Sequence, residues 1–305
     1  MEFFKQNTKI DFMGLRKLAA IISSLLCFLS IICLCINGLN LGLEFTGGTE
    51  IQVSYQQSAN LSQMHQALAQ AGFKEAVLQN YGTTKTVLIR VGLHKGLNQQ
   101  AMNQNILAAL PGATVDRVDA IGSQVSSQLA TNGALALVLA IFCTVIYIAM
   151  RFEYRFAIGA AVALIHDPVL ILGVFSFFHL EFDLNALAAV LTVIGYSLND
   201  TIVIFDRIRE NFRKIRKASS IEIVNLSINQ TLSRTIMTSG LTLVVVLALF
   251  FLGGAMIHGF ALALIIGIIV GTYSSIYIAG ALAVALGLDR ANLLPKPKTA
   301  IDDLP

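Results

Sequence analysis

The chain has 305 residues, of which 55% are apolar and 13% are charged, and its formal net charge is +3. A soluble domain usually carries about 25% charged residues, so this composition argues against an ordinary soluble protein. The small net charge does not indicate a nucleic-acid partner. The apolar residues come in long runs, which is typical of a protein that crosses a lipid bilayer several times.

Six runs are long enough to span a membrane, for which a helix needs about 20 mostly apolar residues. The first run lacks a clear small-residue cleavage site, so we interpret it as a retained helix rather than a signal peptide. In the sixth run, Gly267 and Gly271 are four residues apart and favour a close contact with another helix. The predicted spans are 18–36, 133–150, 156–178, 184–205, 236–252 and 260–286.

The basic residues predict the orientation of these spans. The short connections near Glu181 and Asp183 and at 253–259 contain no lysine or arginine. Because cytoplasmic loops are rich in Lys and Arg, we expect both terminal segments, 1–17 and 287–305, to be cytoplasmic. The basic residues that fall on this one side are Lys5, Lys9, Arg16, Lys17, Arg151, Arg155, Arg207, Arg209, Arg213, Lys214, Arg216, Lys217, Arg234, Arg290, Lys296 and Lys298.

One long polar segment, 40–128, follows the first span and is expected on the opposite side. Its pattern predicts the β-α-β-β-α-β order of a ferredoxin-like domain, with Asn60 as a helix cap and Gly72 as a helix stop. His65 and His94 are isolated, so we expect a binding or lever domain without a catalytic centre. The fold class is therefore a six-helix membrane bundle with an inserted α+β domain. Its predicted elements are 49–56, 61–71, 73–80, 85–91, 98–110 and 114–121.

The sequence lacks motifs for a metal site, a disulfide framework or a bound nucleotide. The four cysteines have no metal-ligand spacing, and we interpret them as small buried apolar residues. Gly47 and Gly48 are not followed by the lysine of a phosphate-binding loop. We therefore expect no cofactor, and energy must come from an ion gradient or a partner. The cysteines are Cys27, Cys33, Cys35 and Cys143.

Asp167 lies deepest in the apolar runs, eleven residues from each end of the third predicted span. It is flanked by His166 and by Pro168, which removes a backbone donor and favours a kink. An ionisable group at the centre of a spanning helix costs at least about 2.5–3.5 kcal/mol, so Asp167 is a candidate for function. The structural alternative is an aspartate that fixes the packing of helices.

Asp200 and Arg234 are the other charged candidates. Asp200 follows Asn199 and lies six residues before Asp206, about 9 Å inside the membrane boundary. Burial favours the neutral form of a carboxyl group and a nearby cation favours the charged form, which is what a proton relay needs. Asp200 and Arg234 supply such a pair if the fourth and fifth spans are adjacent, a question that their long connection leaves open. In the alternative, Asp200 reaches water and Arg234 extends to the interface.

Four sequence blocks carry a resemblance to a known family: Gly42–Thr49 (GLEFTGGT), Ile194–Thr201 (IGYSLNDT), Phe205–Asn211 (FDRIREN) and Leu232–Thr235 (LSRT). Together they resemble SecF, an accessory subunit of the Sec translocon. The resemblance covers about residues 12–290, and Glu44 departs from the aspartate of the family without changing the charge.

This resemblance implies a function that the spacing of residues does not. SecF-like proteins pair with SecD in a twelve-helix unit related to the RND transporters, and associate with SecY, SecE and SecG and often with YajC. The unit uses the proton gradient to assist preprotein export across the bacterial inner membrane, with the polar domain in the periplasm. The residues that match the family are the relay candidates Asp200, Arg234 and Asp167, the supporting Asn199 and His166, and the motif residues Gly42, Phe45, Gly47 and Gly48.

Two other functions stay open at this point. A stand-alone RND-like exporter of small molecules would need a homodimer to complete the architecture. An intramembrane aspartyl protease would use Asp167 and Asp200, although neither lies in a Gly-x-Gly-Asp motif. The basic stretch 207–217 is interpreted as an orienting loop that lies against anionic lipid.

Overall fold

A computed structural model describes residues 9–92 and 99–290 of the chain. The predicted features that lie outside these ranges are His94, Lys5, Lys296, Lys298, the first residue of the predicted helix 98–110, part of the predicted terminal segment 1–17 and most of the predicted tail 287–305.

The described chain alternates long helices with one α/β domain. In chain order its elements are α1 (Arg16–Asn37), β1 (Asn40–Leu41), α2 (Leu43–Thr46), β2 (Gly48–Ser54), α3 (Leu61–Gln70), β3 (Val77–Tyr81), β4 (Thr83–Val91), α4 (Gln99–Ala108), β5 (Thr114–Ile121), α5 (Ser123–Arg151), α6 (Tyr154–Phe177), β6 (Glu181–Phe182), α7 (Leu184–Lys214), α8 (Ser220–Leu252), a 3₁₀ turn (Ala255–Ile257), α9 (His258–Ser274), a π-helical segment (Ser275–Ala279) and α10 (Gly280–Ala285).

Within the described residues, six helical segments are long and apolar enough to cross a membrane, as predicted. They are α1, α5, α6, α7, α8 and the run from α9 to α10. Helices α5, α7 and α8 extend well beyond the predicted spans, because a polar sequence marks the edge of the bilayer and not the end of a helix. Helix α5 begins at Ser123, inside the predicted domain 40–128. Helix α7 includes the basic stretch to Lys214, which is therefore largely helix rather than loop.

Side-chain caps define where several of these helices begin. The Asp183 carboxylate accepts a hydrogen bond from the Ala186 amide (2.7 Å) at the start of α7. At the start of α8, Ser219 and Glu222 each accept a hydrogen bond from the backbone amide of the other, at 3.3 and 2.8 Å. Such caps satisfy amides that have no partner inside the helix. Because α8 begins at Ser220, Arg234 lies well inside this helix and not at its start.

Helices α6, α7 and α9 form the buried centre of the bundle. A side chain at Gly267 would collide with Val193 on α7, and a Cβ at Gly271 would lie 2.9 Å from the Ser197 Cβ. The predicted close contact at these glycines is therefore confirmed, between α9 and α7. The outer helices α1, α5 and α8 expose apolar faces, and Cys35 on α1 is exposed. The prediction that every cysteine is buried was therefore wrong, because an apolar run does not distinguish a lipid-facing side from a core-facing side.

The α/β domain has the predicted order of elements, β2-α3-β3-β4-α4-β5. Its four strands form an antiparallel sheet in the order β3-β4-β2-β5. One face of the sheet packs against α3 and α4 around buried residues such as Ile51, Ile89 and Ile106. As predicted, Asn60 caps α3, and Gly72 follows this helix with a φ of +96°.

A second, two-stranded sheet joins the chain after α1 to the connection between α6 and α7. Strands β1 and β6 are parallel and pair Asn40 with Glu181 and Leu41 with Phe182. The sequence analysis did not predict this sheet. It matters for the site because β6 leads directly into α7.

Candidate functional site

Asp167 lies at the point where three helices meet. Its side chain is 1% exposed. The hydroxyl groups of Ser197 on α7 and Ser274 on α9 donate hydrogen bonds to Asp167 Oδ2, at 2.6 and 3.0 Å. The imidazole Nδ1 of His166 lies 2.9 Å from Asp167 Oδ1. Asp167 therefore has partners on α6, α7 and α9, so its burial is matched by hydrogen bonds.

His166 extends this group toward the surface of the bundle. The side chain is 6% exposed, and its Nε2 has no hydrogen-bond partner among the residues that the structure describes. His166 lies along a mostly apolar groove of about 640 Å³ between α1, α6 and α10. An imidazole with one nitrogen on a carboxylate and the other free can accept or release a proton. His166 and Asp167 therefore form a hydrogen-bonded pair beside this groove.

Asp200 lies on another side of α7 and has different partners. Its side chain is 4% exposed. The Ser239 hydroxyl on α8 donates a hydrogen bond to Asp200 Oδ2 (3.3 Å), and Thr272 on α9 donates to the Ser239 oxygen (2.9 Å). Helices α7 and α8 are thus adjacent, which settles the question that the sequence left open. The carboxylate of Asp200 is held by the neutral hydroxyl group of Ser239.

Arg234 does not contact Asp200 directly. It is exposed on α8, five residues before Ser239, which is about 7.5 Å along a helix. Its charge acts on Asp200 through space and not through an ion pair. Asn199 is also exposed, on the side of α7 away from the buried groups. The roles assigned to Arg234 and Asn199 therefore stay predictions.

Hydroxyl groups fill the space between the two aspartates. Thr201 and Ser275 are hydrogen-bonded at 3.0 Å, and the Ser275 hydroxyl also approaches the Ser197 carbonyl oxygen at 3.3 Å. Ser275 begins the π-helical segment, and such segments often occur at functional sites. Among the described residues, Asp167 and Asp200 share no hydrogen-bond partner.

The glycine motif fastens the start of the α/β domain to the helices. The Gly42 amide donates to the Phe182 carbonyl oxygen (2.9 Å), and the Phe45 ring stacks on Phe182 at 6.1 Å. Gly47 and Gly48 have φ values of +70° and +132°, and a Cβ at Gly48 would collide with the backbone oxygen of Val91. Both positions therefore require glycine to turn the chain into β2.

Comparisons with known proteins agree with this arrangement. Residues 102–289 match the family profile described as protein export membrane protein SecD/SecF, C-terminal, and residues 34–59 match the SecD/SecF GG motif. The chain is 46% identical to protein translocase subunit SecF of Vibrio alginolyticus, over 100% of this chain and 99% of that protein. The chain belongs to the SecF family. It is also 43% identical to the SecF subunit of Escherichia coli O157:H7, over 93% of this chain and 90% of that protein.

Solved structures of SecDF have the same fold. The crystal structure of SecDF from Thermus thermophilus is 36% identical and superposes with a TM-score of 0.85 over 93% of this chain. SecDF in a super-membrane-facing form is 35% identical, with a TM-score of 0.66 over 92% of this chain. The chain spans 39% of the length of either SecDF chain. As a SecF family member with several apolar helices, it is a multi-pass membrane protein.

The sequence analysis missed the hydroxyl residues that hold the two aspartates. Four of the six missed residues lie at helical spacings of three or four, either to each other or to an aspartate. A polar side chain at such a spacing inside an apolar helix needs a hydrogen-bond partner, and this spacing could have identified those four residues. The missed residues are Ser197, Thr201, Ser239, Thr272, Ser274 and Ser275.

Proposed function

We propose that the chain is the SecF subunit of a SecDF unit that uses the proton motive force to assist SecYEG-dependent protein translocation. The observation that carries this proposal is the buried Asp200 on α7 of a SecF family chain, which accepts a hydrogen bond from Ser239 on α8, itself bonded to Thr272 on α9. Its relatives are named protein translocase subunits, which supports the translocation role and not the small-molecule exporter.

Asp200 acts as the proton carrier in this proposal. Burial favours its neutral form, and the positive charge of Arg234 favours the ionised form. Since these residues lie on neighbouring helices, a small displacement of α8 along α7 changes their separation. Approach of Arg234 releases the proton, and withdrawal lets Asp200 take up another. No cofactor takes part, and the proton gradient supplies the energy.

Asp167 and His166 form a second proton-holding group in the same proposal. The free Nε2 of His166 receives or delivers a proton at the groove beside α1, while Asp167 stabilises the imidazolium ion. Because Asp167 also joins α6, α7 and α9, a change in its charge alters the packing of all three helices.

The location and the partners are part of the same proposal. Basic residues at the α5–α6 and α7–α8 ends support cytoplasmic termini in the bacterial inner membrane. The α/β domain is then periplasmic, and its element order and strand order support a ferredoxin-like fold. The exposed apolar faces of α5 and α8 accommodate SecD and lipid. SecYEG, the translocating preprotein and, in some assemblies, YajC complete the set of partners.

A precursor-processing experiment tests this function. Cells depleted of the native subunit are complemented with wild type, Asp200→Asn, Arg234→Met or Asp289→Asn at matched membrane levels. Asp289 is an exposed carboxylate beyond α10 and serves as the control. We expect wild type and Asp289→Asn to restore release of a pulse-labelled precursor, and Asp200→Asn to fail. Equal rescue by Asp200→Asn would show that Asp200 has only a structural role.

A further inference from the structure

The sheet of the α/β domain turns one face toward the ends of the spanning helices. Successive residues of a strand point to opposite faces, so Ile89 lies in the domain core while Arg90 lies on the other face. This outer face covers a cavity of about 500 Å³ between the sheet and the α6–α7 connection. Polar residues that line the cavity include Glu50, Arg117, Asp119, Glu181, Asp183 and Asn185.

Arg90 joins the two sides of this cavity. Its guanidinium group binds Glu50, the cross-strand neighbour on β2, at 2.9 Å. The same nitrogen, Nη2, also binds the carboxylate of Glu181 on β6. The Arg90 side chain is 14% exposed, and those of Glu50 and Glu181 are 21% and 29% exposed. One partly buried cation therefore connects the domain to the helix hairpin.

Around Arg90 the negative charges outnumber the positive charge of its guanidinium group. Glu44 and Asp183 add negative charge near the two carboxylates that Arg90 binds. Burial raises the pKa of Glu181, and the neighbouring carboxylates Glu50 and Asp183 add to that increase while Arg90 opposes it. Burial acts to lower the pKa of Arg90, but Glu181 and Glu50 outweigh it, so the pKa of Arg90 is raised. Removing Arg90 would leave carboxylates facing each other, whereas removing Glu181 would leave Arg90 paired with Glu50.

Glu181 is well placed to follow movement of the helices. It lies two residues before Asp183, which caps α7, and β6 connects α6 directly to α7. These helices carry Asp167 and Asp200. We propose that Arg90 is a positioning residue that clamps the α/β domain onto the α6–α7 hairpin, so that movement of the hairpin is transmitted to the domain. This inference rests on the proposed function, because it assigns the path by which a proton-driven helix movement reaches the domain.

The test uses Arg90→Gln, Glu181→Gln and the double variant in the SecDF complex, with Lys85→Gln as an exposed basic control on the same strand. Hydrogen exchange is measured at the Gly42 amide, which bonds to Phe182 across the junction. We expect Arg90→Gln to raise this exchange about tenfold. Glu181→Gln removes the ion pair to the hairpin without leaving carboxylates to repel each other, so it raises the exchange by less, and Lys85→Gln stays near wild type. The double variant exchanges at the rate of Glu181→Gln, because both lack the ion pair and the repelling carboxylate.

Precursor release in the depleted cells is measured for the same variants. Arg90→Gln reduces release, and Glu181→Gln and the double variant reduce it by less. Adding Glu75→Gln to Arg90→Gln, on an exposed carboxylate outside the junction, gives no recovery. An Arg90→Gln or Glu181→Gln chain with wild-type exchange would overturn the proposal. Unchanged exchange at the core residues Ile51 and Ile89 shows that the domain is folded. If Arg90→Gln lowers the membrane level of the protein, Arg90→Lys is measured instead. A wild-type exchange rate of the Gly42 amide in Arg90→Lys supports a clamp based on charge. Exchange in Arg90→Lys as fast as in Arg90→Gln contradicts it.

The exchange readout separates this inference from the proposed function. It reports the domain contact whether or not protons drive export. If Asp200→Asn releases precursor normally, the proton-driven function is contradicted, but the exchange measurement still tests the contact between the domain and the hairpin. If Asp200→Asn fails to release precursor while Arg90→Gln exchanges and releases precursor as wild type does, the proposed function stands and the clamp is contradicted.

Discussion

The chain contains two clusters of carboxylates that are held in different ways. In the helix bundle, Asp167 and Asp200 are nearly fully buried, and their partners are serine hydroxyl groups and one imidazole. At the domain junction, Glu50 and Glu181 are partly exposed and share the guanidinium group of Arg90. Hydroxyl groups can bond to either form of a carboxyl group, whereas an ion pair requires the charged form. The bundle cluster is therefore suited to a change of protonation and the junction cluster to a lasting connection.

The largest effect on the bundle cluster is expected from Asp167→Ala. This change leaves the Ser197 hydroxyl without its acceptor in the buried centre, while Ser274 can still donate to the Gly271 carbonyl oxygen. Each unsatisfied buried group costs about 1–3 kcal/mol, so unfolding of the detergent-solubilised protein should occur at a clearly lower temperature. Asp167→Asn keeps an acceptor oxygen and should melt close to wild type. If Asp167→Asn melts as low as Asp167→Ala, the charge itself is needed for packing.

On the junction side, Gly48→Ala tests how tightly the glycine motif holds the domain. A Cβ at Gly48 would meet the Val91 carbonyl in a backbone conformation that favours glycine, and we expect a loss of about 1–3 kcal/mol in stability. Gly72→Ala is the control, because Gly72 also has a positive φ but has no heavy atom within 4 Å of the added Cβ. The melting temperature of Gly72→Ala reports the backbone strain alone, and that of Gly48→Ala reports the strain together with the collision with Val91. Equal losses would contradict the close approach.

Ser239→Ala is expected to have a smaller effect. It removes the hydrogen bond to Asp200 and leaves Thr272 with one partner fewer, at a cost of about 1 kcal/mol. Precursor release should fall severalfold because the position and charge of Asp200 change. Thr238→Ala, one residue earlier on an exposed side of α8, should release precursor normally. If both variants behave alike, the Ser239 contact has no part in the relay.

Asn199→Ala is expected to have the smallest effect. The side chain is exposed on α7, and surface substitutions usually change stability by less than about 0.5 kcal/mol. Thermal melting and precursor release should both match wild type. A clear loss of release without a change in melting would show that this surface is covered by a partner subunit.

Part of this arrangement could be predicted from the sequence. The six spans, the order of elements in the α/β domain and the depth of Asp167 and Asp200 follow from hydropathy and periodicity, since these are local properties. The glycine motif and the block Ile194–Thr201 also led to the correct family.

Other features depend on contacts between distant residues. The β1–β6 pair joins Asn40 to Glu181 with two residues in each strand, too short for a strand pattern. The pairing of Asp200 with Ser239 required α7 and α8 to be adjacent, which only tertiary packing decides. Arg90 resembled an ordinary charged residue on a half-exposed strand, and its partner Glu181 lies outside the domain.

Proton movement through the reconstituted complex tests the central claim, that Asp200 carries the proton. SecDF containing this chain is placed in vesicles with a trapped pH-sensitive dye, and an inward proton gradient is applied. Wild type and Asp289→Asn are expected to acidify the lumen at equal rates, and Asp200→Asn is expected to abolish the acidification. Acidification by Asp200→Asn at the wild-type rate would contradict the account.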